Sequence, residues 1–204
     1  MKLSGLGCQD VDIEEKTALS SGFLKVWLFK LRHRLFDGRE SRLLDRETII
    51  RPPSVGVLLY DPVLHCVVLV EQFRLGPFAS GEDPWLLEIV AGISEPGESL
   101  ESVAYREVQE ESDCSIQKLM SIADFYMSPG ASNEKMKLFC GIVDASEAGG
   151  TFGLAEEGED IKVHVIPFDE AYSMVTDGRI ANAPAVIALQ WLKLHHKELG
   201  AVDV

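Results

Sequence analysis

The sequence contains no long apolar run, and its first residues do not predict a secretory leader. None of its segments reaches the roughly 18 apolar residues that a membrane-spanning helix needs. Residues 1–16 carry a lysine but lack the apolar stretch of a signal peptide. These absences predict a cytoplasmic protein that does not insert into a membrane.

Positive charge is also scarce. The 204 residues include 19 Lys and Arg against 33 Asp and Glu, which gives a formal net charge of -14. Proteins that coat nucleic acid or anionic membrane hold phosphates through Lys and Arg, so we expect neither partner. If the substrate is anionic, a divalent cation held by carboxylates would supply the positive charge.

Closely spaced cysteines are absent as well. Cys8, Cys66, Cys114 and Cys140 lie far apart, and no two of them have the CxxC spacing of a zinc or redox motif. Neither a zinc site nor a disulfide framework is therefore indicated. We expect reduced thiols, with Cys66 and Cys140 acting as small core side chains.

The N-terminal quarter of the chain predicts a two-stranded ribbon. Residues 1–18 show little periodicity and are interpreted as a loose arm, whereas residues 23–36 are rich in aromatic and β-branched side chains. Asp37 and Gly38 then provide a hairpin turn into a second strand that ends near Arg51.

A lone ribbon cannot bury both of its faces. We therefore expect residues 1–50 to lie on the main domain, residues 51–204, or on a second copy of the chain. Eight of the 19 basic residues fall within residues 25–51. A charge run of this kind is usually a solvated face, although single arginines in it can meet a phosphate.

The rest of the chain predicts an α/β sandwich, because mixed strands surround one central helix and further helices follow at the end. A loop is expected over residues 76–84. The predicted strands cover residues 55–60, 66–74, 85–92, 116–126, 135–143 and 161–166. The predicted helices lie within residues 92–112, 169–177 and 182–200, with Asn182 as the N-cap of the last.

The most informative segment is rich in carboxylates. It follows the order G x5 E x7 R E U x E E, where U is a bulky aliphatic: Gly92, Glu98, Arg106, Glu107, Val108, Glu110 and Glu111. On a helix the last three carboxylates share one face. An exposed Glu-rich helix would explain one Glu pair, but six fixed residue types at these spacings arise by chance with a probability on the order of 10⁻⁷.

This pattern resembles the Nudix box of the Nudix hydrolases. The resemblance implies a Nudix-type α/β/α sandwich with a mixed sheet, preceded here by the N-terminal β-ribbon arm. Family members usually have Gly where this chain has Asp113, and that Gly ends the helix in a left-handed turn. Asp also tolerates this conformation, so we expect a costlier cap and an intact site. Cys114 in the final aliphatic position is a mild change.

The resemblance further implies a divalent-metal site on this helix. Glu107 and Glu111 would ligate Mg²⁺ directly, with Mn²⁺ as a possible substitute, and Glu110 would assist. The carbonyl of Ala91 would complete the cage. Hard oxygen ligands suit Mg²⁺, which keeps several waters and bridges substrate phosphates.

Four other residues would support the chemistry. Glu98 and Arg106 would orient the metal ligands, although Arg106 is also explicable as a surface ion-pair partner. In the resembling enzymes a mobile acidic loop brings a general base to the reacting water, and Glu157 occupies that position here. Glu159 would be a further metal ligand, although a Gly- and Glu-rich loop is often only a solvated connection.

Outside the box the chain resembles the ADP-ribose pyrophosphatase branch. Pro129 lies fifteen residues past Cys114, the spacing associated with that branch, and the similarity extends from about residue 22 to the C-terminal helix. The implied substrate contacts are Arg74 for a phosphate, Glu134 near the terminal ribose, and Phe23, Arg46 and Glu47 for adenine. Phe23 would come from the other subunit of a homodimer. Each of these residues is also explicable as ordinary surface or ribbon packing.

The implied reaction is Mg²⁺-dependent hydrolysis of ADP-ribose to AMP and ribose 5-phosphate. The box alone equally permits another nucleotide sugar such as GDP-mannose. An alternative of a different class is a non-catalytic nucleotide sensor with the same fold. Such a sensor would have no need for three carboxylates on one helix face. A purely structural dimerisation protein is the remaining alternative.

Overall fold

The computed structural model describes residues 3–199, apart from the side chain of Glu157, and it divides into two units. One unit comprises Met1–Pro52 and Tyr126–Lys135, and the other comprises Pro53–Phe125 and Met136–Val204. Among residues 3–199, no helix is both long enough and apolar enough to cross a membrane.

The predicted ribbon is confirmed in the first unit. Strand β2 (Lys25–His33) runs antiparallel to β3 (Leu44–Ile50), with Phe29 opposite Arg46. The turn between the strands includes Gly38, whose φ of +85° lies in the left-handed region that favours glycine.

The expectation that the first 18 residues form a loose arm is wrong for residues 11–18. They form a strand, β1 (Val11–Ala18), which pairs antiparallel with β2 and makes the ribbon a three-stranded sheet. The acidic side chains of β1 face the basic run of β2, since Glu14 lies 2.9 Å from Arg32 and Glu15 lies 2.9 Å from Lys30. Exposed ion pairs contribute little, so the backbone ladder to β2 chiefly defines this strand.

A mixed eight-stranded sheet forms the centre of the second unit. Its strands are β4 (Ser54–Asp61), β5 (Cys66–Phe73), β6 (Trp85–Glu88), β7 (Val90–Ile93), β8 (Lys118–Tyr126), β9 (Lys135–Ile142), β10 (Gly150–Phe152) and β11 (Ile161–Pro167). Their order is β10-β11-β5-β4-β9-β8, with β6 beside β5 and β7 beside β4. Strand β4 runs parallel to β9 and antiparallel to β5 and β7. The helices are α1 (Leu75–Ala79), α2 (Leu100–Ser112), α3 (Phe168–Asp177) and α4 (Ala183–Leu199).

The predicted single strand over residues 85–92 is wrong, because two strands occupy this segment. Strand β6 pairs with β5 and strand β7 pairs with β4, so the chain changes partner at Ile89. Within the predicted loop 76–84, part of the one-turn helix α1 is present. Strand β10 was not predicted, since three residues are too few to show an alternating pattern.

Helices cover both faces of this sheet, which confirms the sandwich. Successive side chains of a strand point to opposite faces, so Val57 and Leu59 of β4 pack towards α2, whereas Leu58 and Tyr60 pack towards α3 and α4. Cys66 and Cys140 are buried in these two cores, as expected. Burying one valine or leucine side chain, such as Val57 or Leu59, contributes about 1.5–3 kcal/mol to the free energy of unfolding.

The C-terminal helices begin and end largely where predicted. Helix α3 stops at Gly178, which adopts a left-handed φ of +85°. Asn182 caps α4, because its side-chain oxygen accepts the backbone N–H of Ala185 at 3.3 Å. The predicted end of α4 near Gly200 lies outside the described residues.

Candidate active site

Helix α2 carries the predicted carboxylates and has a defined start and end. Ser99 caps its N-terminus by accepting the backbone N–H of Ser102 at 3.1 Å. Asp113 ends it in the left-handed conformation, with φ 54° and ψ 18°, and donates its N–H to the carbonyl of Gln109. Asp113 therefore adopts the turn that glycine usually provides, as expected.

Glu111 is the most deeply buried carboxylate of α2. Only 3% of the residue is exposed, and its side chain accepts the backbone N–H of Ala91 at 3.2 Å. Burial raises the pKa of Glu111 to about 8, and the charges of Glu107 and Glu159 add to that rise, while the Ala91 N–H opposes it. A buried carboxylate of this kind is stabilised in its ionised form by a bound cation.

Glu107 lies on the same face and is also mostly buried. Burial raises its pKa first of all, and the charges of Glu110 and Glu159 raise it further, whereas Arg106 lowers it. The charge of Glu159 raises the pKa of both Glu107 and Glu111, so its carboxylate lies within electrostatic reach of both.

Gly92 leaves room for Glu107. A Cβ built on Gly92 would lie 1.8 Å from Oε1 of Glu107 and 1.9 Å from its carboxyl carbon. No real atoms approach so closely, so any other residue at position 92 would displace this carboxylate. The box therefore needs Gly92 for space, not for a special backbone conformation.

Arg106 connects the remaining acidic residues of the box. Its Nε and Nη2 donate to the two carboxylate oxygens of Glu98 at 3.0 and 3.1 Å. Its Nη1 donates to Glu107 at 2.8 Å and to Glu110 at 3.1 Å. The contact with Glu98 is the largest cause of the raised pKa of Arg106. A single guanidinium thus fixes three carboxylates.

Glu159 reaches this region from the loop that follows β10. Its Oε2 accepts the backbone N–H of Leu154 at 3.0 Å, and a Cβ on Gly153 would lie 2.7 Å from the Glu159 Cβ. The backbone of Glu157 belongs to a short 3-10 turn, Ala155–Glu157, of the same loop. The side chain of Glu157, the predicted general base, lies outside the described part of the structure.

Among the side chains that the structure describes, no three His, Cys, Asp or Glu are already arranged as ligands around one point. Each carboxylate is instead held by a nitrogen donor, since Arg106 draws Glu107, the Ala91 N–H draws Glu111 and the Leu154 N–H draws Glu159. The chemistry of the set still suits a hard divalent cation, because Glu107 and Glu111 are carboxylates on one face of α2 with side chains largely removed from water, in a strongly acidic chain.

Arg74, the predicted phosphate contact, follows directly after β5. Its Nε donates to Oε2 of Glu88 at 2.9 Å, and its Nη2 lies 2.7 Å from the same oxygen in an ion pair. Its charge lowers the pKa of Glu111, so the guanidinium lies near the carboxylates of α2. Sequence analysis missed Glu88, because a single Glu at the end of a short strand carries no recognisable pattern.

The predicted ribose and adenine residues lie in the first unit. Glu134 lies 3.5 Å from Nη1 of Arg51, and the guanidinium carbon of Arg51 lies 6.0 Å from the ring centre of Phe23. Arg46 and Glu47 are both exposed on β3. They are consecutive strand residues, so their side chains leave opposite faces of the sheet.

Hydrogen bonds join the loop that carries Glu134 to β3 and to Arg51, the residue that follows it. The backbone N–H of Ile49 donates to the carbonyl of Ala131 at 2.8 Å. The side chain of Asn133 bonds both the N–H and the carbonyl of Arg51, at 2.7 and 3.2 Å. Glu134 is therefore held next to the end of β3.

The fold and the carboxylate-bearing helix are those of a NUDIX-domain protein. A model of the NUDIX domain matches residues 50–189. The chain belongs to the NUDIX family, and the resemblance that the box suggested is confirmed.

Two curated relatives bear on the particular member of the family. The ADP-ribose pyrophosphatase of Escherichia coli (strain K12) is 45% identical over 193 residues, which cover 95% of this chain and 92% of that protein. The GDP-mannose pyrophosphatase of Pectobacterium atrosepticum is 33% identical over 183 residues, covering 88% and 92%. The chain is thus more similar to the first of these two enzymes.

One solved structure is similar along nearly the whole chain. An ADP compounds hydrolase matches with a TM-score of 0.70, covering 97% of this chain and 100% of that one, at 20% sequence identity. At this identity the likeness shows the fold alone.

Proposed function

We propose that this protein hydrolyses the diphosphate bond of ADP-ribose and releases AMP and ribose 5-phosphate. The observation that carries the proposal is the burial of Glu111 beside Glu107 and Glu159 in a chain of net charge -14. A non-catalytic sensor would gain nothing from this set, because buried like charges cost stability unless a cation offsets them.

The residues fit Mg²⁺, with Mn²⁺ as a possible substitute. Glu107, Glu111, Glu159 and the carbonyl of Ala91 would hold it, and Glu110 would assist. The bound ion would neutralise the diphosphate and lower the pKa of a water. This is the positive charge that the composition of the chain itself cannot provide.

The protein residues supply orientation and proton transfer. Arg106 holds Glu107 and Glu110 from one side, and Glu98 holds Arg106. Arg74 offers a guanidinium to a phosphate oxygen. Glu157 would take the proton of the attacking water as general base.

The substrate assignment is supported by the relatives. The identity to the ADP-ribose pyrophosphatase of E. coli is 45%, against 33% to the GDP-mannose pyrophosphatase. For the nucleoside end of the substrate we assign Phe23, Arg46 and Glu47 to adenine and Glu134 to the terminal ribose. GDP-mannose remains the second candidate substrate.

We further propose a homodimer in which residues 1–50 serve dimerisation and adenine binding, while residues 51–204 carry the chemistry. Every residue of β1 is exposed, and Phe23 is 90% exposed. Val11, Ile13, Leu19 and Leu24 are also exposed, and several exposed apolar side chains in one part of a chain are typical of an association surface. Phe23 would reach the adenine of the other subunit.

The test is a panel of nucleoside diphosphate compounds with Mg²⁺, with the products resolved by chromatography. Formation of AMP and ribose 5-phosphate from ADP-ribose, well ahead of any turnover of GDP-mannose, supports the proposal. Faster hydrolysis of GDP-mannose would replace the substrate. Binding of ADP-ribose without turnover would identify a sensor.

A further inference from the structure

Glu88 is a buried charge that the proposed mechanism does not use. It is the last residue of β6, lies opposite Val70 of β5, and is only 5% exposed. Removing a carboxylate from water costs free energy unless charged or polar partners replace the water. A carboxylate retained at such a position therefore has a specific arrangement to hold.

The two oxygens of Glu88 have different partners. Oε2 accepts the Nε–H of Arg74 at 2.9 Å and lies 2.7 Å from Nη2 in an ion pair. Oε1 accepts the side-chain N–H of Asn182 at 2.6 Å, across 94 positions of sequence. Asn182 is itself fixed, because it caps α4 through Ala185. The start of α4, Glu88 and Arg74 thus form one continuous chain of hydrogen bonds.

This arrangement determines which edge of Arg74 is available. Glu88 lies against the edge of the guanidinium that carries Nε and Nη2, whereas Nη1 makes no hydrogen bond with the backbone and side chains that the structure describes. The Arg74 side chain is 42% exposed, so Nη1 can meet a ligand from solvent. Glu88, which holds Arg74, lies three residues before Ala91, whose backbone N–H donates to Glu111 at 3.2 Å. The guanidinium is therefore held close to the proposed metal carboxylates.

We propose that Glu88 is a positioning residue that orients Arg74 for a phosphate of the substrate, and that Asn182 anchors Glu88 to the start of α4. This inference rests on the proposed function, in which Arg74 binds a phosphate. A long side chain loses its rotamer freedom when it binds a ligand. Glu88 restricts the Arg74 side chain before the substrate arrives, so substrate binding does not bear the entropic cost of ordering it.

The central test is a double-mutant cycle of Glu88→Gln and Arg74→Ala. Gln keeps the shape of Glu88 and can still pair with Asn182, but it removes the charge that holds the guanidinium. We expect Glu88→Gln to raise KM for ADP-ribose about 10- to 100-fold with a smaller fall in kcat. In the Arg74→Ala background it should change KM less than about 2-fold, because residues that act through one another are not additive.

A second variant guards against simple loss of folding. Asn182→Ser retains a good helix cap but is too short to reach Glu88. It should raise KM in the same direction as Glu88→Gln and leave the melting temperature nearly unchanged. Glu71→Gln is the matched control, since Glu71 on β5 pairs with His164 at 2.7 Å and has no bond to Arg74. Its KM should equal that of the wild type.

Equal effects of Glu88→Gln in the wild-type and Arg74→Ala backgrounds would overturn the inference, as would an unchanged KM in both Glu88→Gln and Asn182→Ser. The same cycle is measured with GDP-mannose, which shares the diphosphate. Coupling seen only with GDP-mannose would refute the ADP-ribose assignment and support the role of Glu88. Hydrolysis of ADP-ribose without coupling between Glu88 and Arg74 would support the ADP-ribose assignment and refute the role of Glu88.

Discussion

The carboxylate of Glu107 occupies the space that a side chain at Gly92 would fill. A Cβ on Gly92 would come within 1.8 Å of a carboxylate oxygen of Glu107. Gly92 lies on β7 and Glu107 on α2, so the pair fixes how closely the helix lies against the strand. The position of the Glu107 carboxylate therefore depends on the absence of a side chain at residue 92.

Gly92→Ala should consequently damage activity far more than stability. The methyl group must displace Glu107, and a misplacement of about 1 Å at a reacting centre can cost about 10²-fold in rate. We expect kcat for ADP-ribose to fall by at least that factor. Gly76→Ala is the control, because a Cβ there meets nothing within 4 Å. Equal activity of the two variants would show that activity does not depend on the position of the Glu107 carboxylate.

Glu157→Gln should lower kcat by about 10² to 10⁴, the usual scale for a general base, with little change in KM. Glu159→Gln should instead raise the Mg²⁺ concentration needed for half-maximal activity, because we assign Glu159 as a ligand of the ion together with Glu107 and Glu111. Steady-state kinetics across a range of Mg²⁺ concentrations distinguishes the two. If Glu159→Gln lowers kcat more and Glu157→Gln is mild, the roles are reversed.

The stability of the metal-free protein should depend on Glu111. Its folded pKa of about 8 lies above the ordinary value of 4.5, so the stability it allows is fully present below pH 4.5 and is lost as pH rises through 8. Glu111→Gln removes this loss. In EDTA at pH 9 we expect a melting temperature at least about 2 °C above that of the wild type.

The same comparison at pH 5 provides the control. There most of the wild-type Glu111 is already protonated in the folded protein, so the difference between variant and wild type should shrink. A difference that grows towards low pH would contradict the assigned direction of the pKa shift.

The association proposal predicts a mass of about twice the chain's 22.5 kDa in light scattering. Phe23→Ala should raise KM for ADP-ribose about 10-fold, because stacking of a base on an aromatic ring contributes about 1–3 kcal/mol. Phe36→Ala is the control, since Phe36 is equally exposed but lies in the hairpin turn. A fully active monomer would refute a site shared between subunits.

The elements that were predicted have strong local patterns. Helix α2 follows from its box, and Gly178 and Asn182 mark helix ends through local backbone chemistry. Strand β1 was missed because its polar sequence forms a strand only when β2 is there to pair with it. The break at Ile89 was missed for a similar reason, since it reflects a change of partner strand.

In the site, too, features with a local sequence pattern could be predicted and features that depend on distant residues could not. The helical spacing predicts that Glu107 and Glu111 share a face, and the structure has both mostly buried on α2. Glu88 could not be found in this way, because its role depends on Asn182, which is distant in sequence and adjacent only in the fold. Contacts between distant residues require the tertiary structure.

The most direct test of the account is kcat of Glu111→Gln for ADP-ribose at saturating Mg²⁺. Gln keeps the size of the side chain and its helix propensity but removes the charge that a metal ligand needs. The account predicts a fall in kcat of about 10³-fold or more in a folded protein, whereas Glu101→Gln, an exposed change on the same helix, stays near wild type. Near wild-type kcat for Glu111→Gln would contradict the assignment of these buried carboxylates to metal-dependent hydrolysis.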